Sequence, residues 1–184
     1  MQANKTIRDH FTFRVVLQGM SHPGKVFPLP GFPGKGSAVI ELLGCLMDNE
    51  VSFAVIGGTE LETVLSRHTS GRLVSSEEAD YIIVSSGTTS GRLAGFKRGS
   101  LEYPNTGATI LYLVEELSEG KGEIVLSGPG VKGTASLRIT GLPLSELKQL
   151  KEVNSEFPLG VDAIFLDLSG NIACIPRSTQ IGVN

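Results

Sequence analysis

The order of predicted helices and strands constrains the fold of this 184-residue chain more than any other feature. In the first half, helices alternate with strands. Helices are predicted from Thr6, Ser37 and Thr59, and strands over residues 51–56 and 81–85. Thr6 and Thr59 each stand three positions before an acidic residue, which is the spacing of a capping box. This alternation indicates a layered α/β fold in which helices cover a sheet.

The first predicted helix has apolar residues that recur every four positions. The stripe consists of Ile7, Phe11, Phe13, Val15, Val16 and Met20. We expect it to pack on the core, because residues at this spacing share one helix face. Pro23 and Gly24 end the helix, and the Pro- and Gly-rich residues 22–36 are expected to form an irregular crossing loop.

The second half is richer in strands. They are predicted over residues 108–114, 123–126, 134–139, 161–167 and 172–175, with a helix from Ser145 to Val153. The turns at 118–122 and 128–133 are short and glycine-rich, so their flanking strands are expected to be antiparallel neighbours. Because no linker or repeat interrupts the chain, we expect one domain over residues 1–184, with a mixed sheet covered by helices.

Composition and charge exclude several classes of function. The formal net charge is -3 and only 6% of residues are aromatic, which argues against a nucleic-acid partner. No apolar run approaches the roughly 20 residues that cross a bilayer, and the polar N-terminus predicts a cytoplasmic location. Cys45 and Cys174 are far apart and show no metal-ligand spacing. They are expected to be buried thiols, and no metal site is expected.

Two familiar catalytic motifs are incomplete. Gly34 and Lys35 suggest a phosphate-binding P-loop, but Gly36 stands where Ser or Thr should bind magnesium. Ser145 and Lys148 have the spacing of a serine nucleophile and its lysine, but the partner motifs of that class are missing. Ser145 is better interpreted as a helix cap.

Three glycine-rich or polar segments are candidates for binding an anion. The loop from Gly128 to Gly133, with Gly130 at its centre, follows a strand and offers backbone N–H groups, although it also fits a tight turn. Residues 87–92 present the same two alternatives. His22, next to Pro23, is a candidate for proton transfer or a cap at the negative end of the first helix.

Residues 176–179 are the third segment and the most promising candidate for an anion site. Arg177 offers a forked donor suited to phosphate or carboxylate, and the hydroxyls of Ser178 and Thr179 can add hydrogen bonds. A structural salt bridge from Arg177 to Asp162 or Glu156 is the alternative.

Six segments spread along the chain form a recognisable series: Phe13–Gly24, Leu46–Asn49, Gly107–Thr109, Leu126–Val131, Phe157–Asp162 and Ile172–Thr179. In this order they resemble segments of the PhnH family, whose members are H subunits of the bacterial carbon–phosphorus lyase system. The resemblance implies a three-layer α/β/α fold with a mixed sheet, similar to the large domain of PLP-dependent transferases but without the cofactor.

The resemblance also implies a function and partners. Related proteins work with G, I and J subunits, and the system transfers an alkylphosphonate to the ribose C1′ of ATP with release of adenine. ATP and the phosphonate are thus expected ligands of the complex, and the isolated chain is expected to be a homodimer. No catalytic residue of the family is assigned to this sequence.

Two hypotheses follow for the part this chain plays. In the first it is an assembly subunit of a transferase complex, not catalytic alone, since no convincing nucleophile, metal set or cofactor lysine is visible. In the second it lends Arg177, Ser178, Thr179 and the loop at Gly130 to a nucleotide or phosphonate site.

Overall fold

The computed structural model describes residues 2–29 and 35–183. The helices are α1 (Gln2–Ser21), α2 (Lys35–Leu46), α3 (Thr59–His68) and α4 (Leu144–Val153). The strands are β1 (Phe27–Pro28), β2 (Ser52–Ile56), β3 (Arg72–Leu73), β4 (Tyr81–Val84), β5 (Thr109–Leu113), β6 (Glu116–Ser127), β7 (Ala135–Thr140), β8 (Asp162–Leu166), β9 (Asn171–Ile175) and β10 (Gln180–Val183). No helix in these ranges is both long enough and apolar enough to cross a bilayer.

A seven-stranded sheet forms the centre, with the order β1-β9-β8-β5-β4-β2-β3. The run from β3 to β8 is parallel, whereas β9 is antiparallel to both of its neighbours, β8 and β1. The parallel strands are in register, so that Tyr81 of β4, Thr109 of β5 and Asp162 of β8 lie side by side at their amino-terminal ends. The prediction of an α/β fold with a mixed sheet is confirmed.

A separate antiparallel sheet has the order β10-β6-β7. It confirms that strands flanking the 128–133 turn are neighbours. The predicted turn at 118–122 is wrong, because these residues lie inside β6. There the pairing with β7 shifts between Glu119 and Ile124. Gly122 permits the close approach, since a Cβ at this residue would lie 2.1 Å from the Leu137 carbonyl oxygen.

Two apolar cores lie on opposite faces of the large sheet. One packs against α1, α2 and α3, with Leu42, Leu43 and Phe53 fully buried. The other packs against α4 and the three-stranded sheet, with Tyr112, Phe165 and Leu126 fully buried. The second outer layer of the predicted α/β/α arrangement therefore consists of one helix beside a small sheet.

The predicted face of α1 is correct only in part. Val16 of the predicted stripe is buried, and Val15 and Met20 pack against the core. The other three members of the stripe, Ile7, Phe11 and Phe13, are more than half exposed. Gly19 explains the orientation of the helix, since a Cβ there would lie 2.7 Å from the Cys174 sulfur. A small residue lets this side of the helix approach β9, and the first part of the stripe remains exposed.

The predicted helix starts also need correction. Thr6 lies inside α1, and α3 has Gly58 at its N-cap with no side-chain cap. α4 begins after Pro143, so Ser145 lies inside the helix and is not the cap. Gly34 of the rejected P-loop and residues 30–34 of the predicted crossing loop lie outside the described residues, whereas Phe27 and Pro28 form β1.

Candidate functional site

Protein groups surround the guanidinium of Arg177, which follows β9. Its Nη2 lies 2.6 Å from Asp162 Oδ2, and its Nε donates to both oxygens of the same carboxylate at 3.2 Å. Nη1 donates to the Pro104 carbonyl at 2.6 Å. The salt-bridge alternative to Asp162 is thus what the structure contains, while Glu156 pairs with Arg98.

The position of Arg177 also suits a structural tie. Asp162 is the first residue of β8, and Gly107, whose carbonyl accepts from Nη2 at 3.3 Å, lies just before β5. Both are at the amino-terminal edge of the parallel strands. Ligands of open α/β sheets bind at the opposite, carboxyl edge. With its charge balanced by Asp162, Arg177 retains little attraction for an added anion.

Ser178 and Thr179 line a cleft of about 570 Å³ between the end of α4 and β10. Lys151 and Phe157 also line it, so it presents an ammonium group and an aromatic ring beside the two hydroxyl residues. The Thr179 hydroxyl oxygen itself is enclosed by protein and makes no hydrogen bond. Anion binding by Ser178 and Thr179 stays a prediction.

The loop at Gly128 forms a tight turn. The Val131 N–H donates to the Gly128 carbonyl at 3.1 Å, Pro129 follows Gly128, and Gly130 has a φ of 81°. Proline followed by a glycine of positive φ is typical of a type II turn. A Cβ at Gly130 would lie 2.2 Å from the Ser21 carbonyl oxygen. The glycine therefore lets this turn pack against the end of α1.

His22 caps the end of α1. Its Nδ1 lies 3.1 Å from the Gln18 carbonyl oxygen, which is the bond expected of a cap at the negative end of a helix. His22 shares a second cleft, of about 580 Å³, with Gly130 and Lys132. In the same cleft Lys25 lies 2.8 Å from Glu119. The hydrogen bond from Lys25 is the main cause of a lowered pKa for Glu119.

The turn at 128–131 brings separate candidates near one another. Gly130 packs on Ser21, next to His22, whereas a Cβ at Gly128 would lie 3.2 Å from the Ser178 carbonyl oxygen. The turn thus lies between the two clefts. The structure therefore groups His22, Gly130 and Ser178 around one turn, while the Arg177 guanidinium is bound at the edge of the sheet.

The sequence did not indicate the buried carboxylate of Glu146. Glu146 of α4 is only 2% exposed and accepts hydrogen bonds from the Tyr112 hydroxyl at 2.8 Å and from the Thr89 N–H at 3.1 Å. Burial, together with the Glu146 charge, raises the pKa of Tyr112 well above its usual value. A glutamate in the first turn of an amphipathic helix carries no signal of such burial.

Several polar groups of residues 87–92 are hydrogen-bonded within the protein. The Thr88 hydroxyl donates to Glu146 at 3.1 Å, and Arg92 Nε donates to the Thr89 carbonyl at 3.2 Å. Ser90 adopts a φ of 55° and its N–H donates to the Thr88 hydroxyl oxygen. This network favours a structural turn over the phosphate-binding alternative.

Both cysteines are free thiols, as predicted. Cys174 is fully buried, and its burial raises the pKa of the thiol to about 12. Cys45 is partly buried and donates to the Asp9 carbonyl at 3.1 Å. Within residues 2–29 and 35–183, no group of three His, Cys, Asp or Glu side chains is arranged to hold a metal ion.

Buried ionisable groups in this molecule act as ties between elements. Arg177 joins β8 to the segment before β5, and Glu146 joins α4 to β5. Asp167 closes the β8–β9 turn by accepting from the Ser169 N–H at 2.9 Å and the Asn171 N–H at 2.8 Å. These ionisable groups therefore stabilise the fold.

Comparison with known proteins gives matches along nearly the whole chain. A family model described as bacterial phosphonate metabolism protein (PhnH) matches residues 3–182. A Stutzerimonas stutzeri protein named putative C-P lyase subunit protein HtxG is 33% identical over 183 residues, which cover 96% of this chain and 87% of that protein. The alpha-D-ribose 1-methylphosphonate 5-triphosphate synthase subunit PhnH of Rhizobium meliloti (strain 1021) is 25% identical over 187 residues, which cover 97% of this chain and 92% of that protein.

Proposed function

Because this chain belongs to the PhnH family of bacterial phosphonate metabolism proteins, we propose that it is a subunit of the carbon–phosphorus lyase complex. In that role it supports transfer of an alkylphosphonate to the ribose C1′ of ATP with release of adenine. The family match over residues 3–182 is the observation that carries the proposal. A likeness of its sheet to the large domain of PLP-dependent transferases, without the cofactor, is part of the same proposal.

Within the complex, the chain serves assembly. This proposal is supported by the contacts of Arg177 and Glu146, which are buried or partly buried. Both side chains bind other parts of the same chain. A group fully engaged by protein partners is a poor donor or acceptor for a reacting substrate. The partners in this proposal are the G, I and J subunits, and the isolated chain pairs as a homodimer in the cytoplasm.

Co-expression with the G, I and J subunits tests the assembly proposal. We expect the chain to co-elute with them from a size-exclusion column at a fixed ratio, and a host lacking the subunit to regain growth on methylphosphonate as sole phosphorus source. Light scattering on the isolated chain measures the homodimer. If the chain elutes alone and restores no growth, the proposed function is wrong.

A second role is favoured by the cleft beside β10. Lys151 and Phe157 line it with Ser178, a combination that suits a ligand with both an anionic group and a flat ring. In this alternative the subunit contributes to a nucleotide or phosphonate site. Lys151→Ala is the better test, because Arg177→Ala would also remove the tie to Asp162. A normal transfer rate in an assembled Lys151→Ala complex would exclude the role.

A further inference from the structure

We infer that the outer face of α1 binds another subunit, through an apolar surface of that subunit bordered by carboxylates. The face is defined by Ile7, Phe11, Phe13 and Leu17. These four large apolar side chains are 51–56% exposed, although they lie on a helix whose other side packs on the core. The inference rests on the proposed function, since it names the surface by which the subunit joins its complex.

The four side chains form two ridges along the helix. Ile7 and Phe11 are one turn apart, and so are Phe13 and Leu17. At about 100° per residue, His10 and Arg14 fall between the two ridges. The face is therefore a broad apolar surface with a basic strip along its middle, unlike a single exposed residue on a polar helix.

The area of the face is large for one that remains in water. Two phenylalanines, an isoleucine and a leucine at half exposure leave roughly 400 Å² of apolar surface on a single helix. The largest apolar patch on a soluble monomer is typically of this size and is often functional. Phenylalanine side chains are also frequent anchors in protein interfaces. The buried side of α1 already contacts α2 and β9, so the fold does not need these residues for its core.

The charges of α1 select the kind of partner. The helix contains Lys5, Arg8 and Arg14. Lys5 lies 3.2 Å from Asp9, the single acid of the helix, and Arg8 lies 3.8 Å from Glu41 of α2. The whole chain has a formal net charge of -3, so this helix is basic on an acidic molecule. Arg14 is exposed at the centre of the face. A partner that buries the two ridges must place a carboxylate opposite it.

The same charges disfavour a second copy of this chain as the occupant. In a two-fold interface the same surface meets itself. Pairing α1 with its own copy in this way would bring the Arg14 side chains of both copies into the middle of one interface. Like charges in such a position oppose association. A different subunit, with acidic residues at that point, fits the face better.

Leu17→Glu tests the inference with a closely matched control. Leu168, in the β8–β9 turn, is 53% exposed and Leu17 is 54% exposed, so Leu168→Glu adds the same charge at an equally exposed leucine. Each variant is co-expressed with the G, I and J subunits, and affinity is measured by titration of the purified chain into the remaining subcomplex. We expect Leu17→Glu to weaken binding at least tenfold and Leu168→Glu to leave it unchanged. Both variants should keep the unfolding temperature of the parent chain.

Arg14→Glu adds a test of the charge. We expect weaker binding that falls less with added salt than binding of the parent chain. Parent-like binding of both Leu17→Glu and Arg14→Glu would overturn the inference while leaving the proposed function intact. Failure of the parent chain itself to bind would instead contradict the proposed function.

Two further measurements test whether a second copy of the chain or a membrane surface binds the face instead of a different subunit. Light scattering that shows Leu17→Glu converting a dimer to a monomer, with subunit binding unchanged, would assign the face to a second copy and overturn the inference. Sedimentation of the parent chain with phosphatidylglycerol vesicles, lost in Leu17→Glu, would assign it to a membrane surface and also overturn it.

Discussion

The two edges of the large sheet hold polar clusters of different kinds. At the amino-terminal edge, Arg177 and Asp162 are a pair of opposite charges, with side chains 13% and 24% exposed. At the carboxyl edge, Glu146 is a buried carboxylate that accepts hydrogen bonds from neutral groups of Tyr112, Thr88 and Thr89. The first cluster depends on charge balance and the second on hydrogen-bond geometry, so equivalent substitutions should affect them differently.

Arg177→Ala should give the largest loss of stability. It leaves Asp162 partly buried without a cation and two carbonyls without a donor. Breaking a buried pair by removing one partner costs about 3–5 kcal/mol, and the partial exposure of this pair puts the expected loss at about 3 kcal/mol. Arg177→Lys should recover little, because a lysine cannot reproduce the forked contacts. Urea unfolding measures both variants, and a loss near 0.5 kcal/mol would mean that the pair behaves as a surface ion pair.

Glu146→Ala should have the next largest effect, about 2–3 kcal/mol, since it leaves the Tyr112 hydroxyl and the Thr89 N–H buried without an acceptor. Glu146→Gln should restore most of this loss, because the amide oxygen accepts the same hydrogen bonds from neutral donors. The two edges therefore differ in their response to a conservative replacement, which should restore stability at Glu146 and fail to restore it at Arg177. Equal failure of both replacements in urea unfolding would remove the distinction.

The sequence indicated the Arg177–Asp162 pair as an alternative but did not indicate the burial of Glu146, and this difference has a physical cause. Asp162 and Arg177 flank the strands of a predicted hairpin, so antiparallel pairing alone places them near each other. Glu146 becomes buried only because α4 packs over Tyr112, a contact between residues 34 positions apart with no local pattern. The large sheet could be predicted for a similar reason, because the alternation of helices and strands is visible as local periodicity in the sequence.

The errors in the predicted fold have a similar origin. Apolar periodicity identified α1 as a helix but placed Ile7, Phe11 and Phe13 on its inner face. They are exposed, because the close contact of Gly19 with Cys174 determines which side of the helix faces β9. The edge strands β1 and β3 have two residues each and are defined by their neighbours, so no run of β-branched residues marks them. The candidate anion residues lie close together around Gly128 and Gly130. Their proximity could not be predicted, because it depends on tertiary packing alone.

Alkaline pH should weaken the carboxyl edge through Tyr112. Burial, with the nearby Glu146 charge, raises the pKa of Tyr112 above its unfolded value near 10. A raised folded pKa gives stability that is complete below the unfolded pKa and is lost as pH rises above it. Above pH 10 the parent chain should lose about 1.4 kcal/mol per pH unit more than Tyr112→Phe. Tyr81 and Cys174 add losses that are common to both chains, because burial raises the pKa of Tyr81 and raises that of Cys174 to about 12. Parallel stability curves from pH 9 to 11 would contradict the prediction.

The smallest expected effect concerns two hydroxyls that have no hydrogen-bond partner, one near each cluster. Thr89 lies beside Glu146 and Thr179 lies two residues after Arg177, and both hydroxyl oxygens are buried. Thr→Val replaces such a hydroxyl with a methyl group of similar size and removes the cost of an unsatisfied polar atom. Each variant should therefore gain up to about 1 kcal/mol in urea unfolding.

The pair of threonine variants also separates structure from function at the two edges. If Thr179 belongs to a ligand site in the cleft beside β10, Thr179→Val should slow phosphonate transfer by the assembled complex while raising stability. Thr89→Val, which alters an equally buried hydroxyl away from that cleft, should raise stability without a change in rate. Equal rates for both variants would mean that the Thr179 hydroxyl is a packing defect with no role in binding. A stability loss in either variant would mean that the hydroxyl has a partner in solution, such as a bound water.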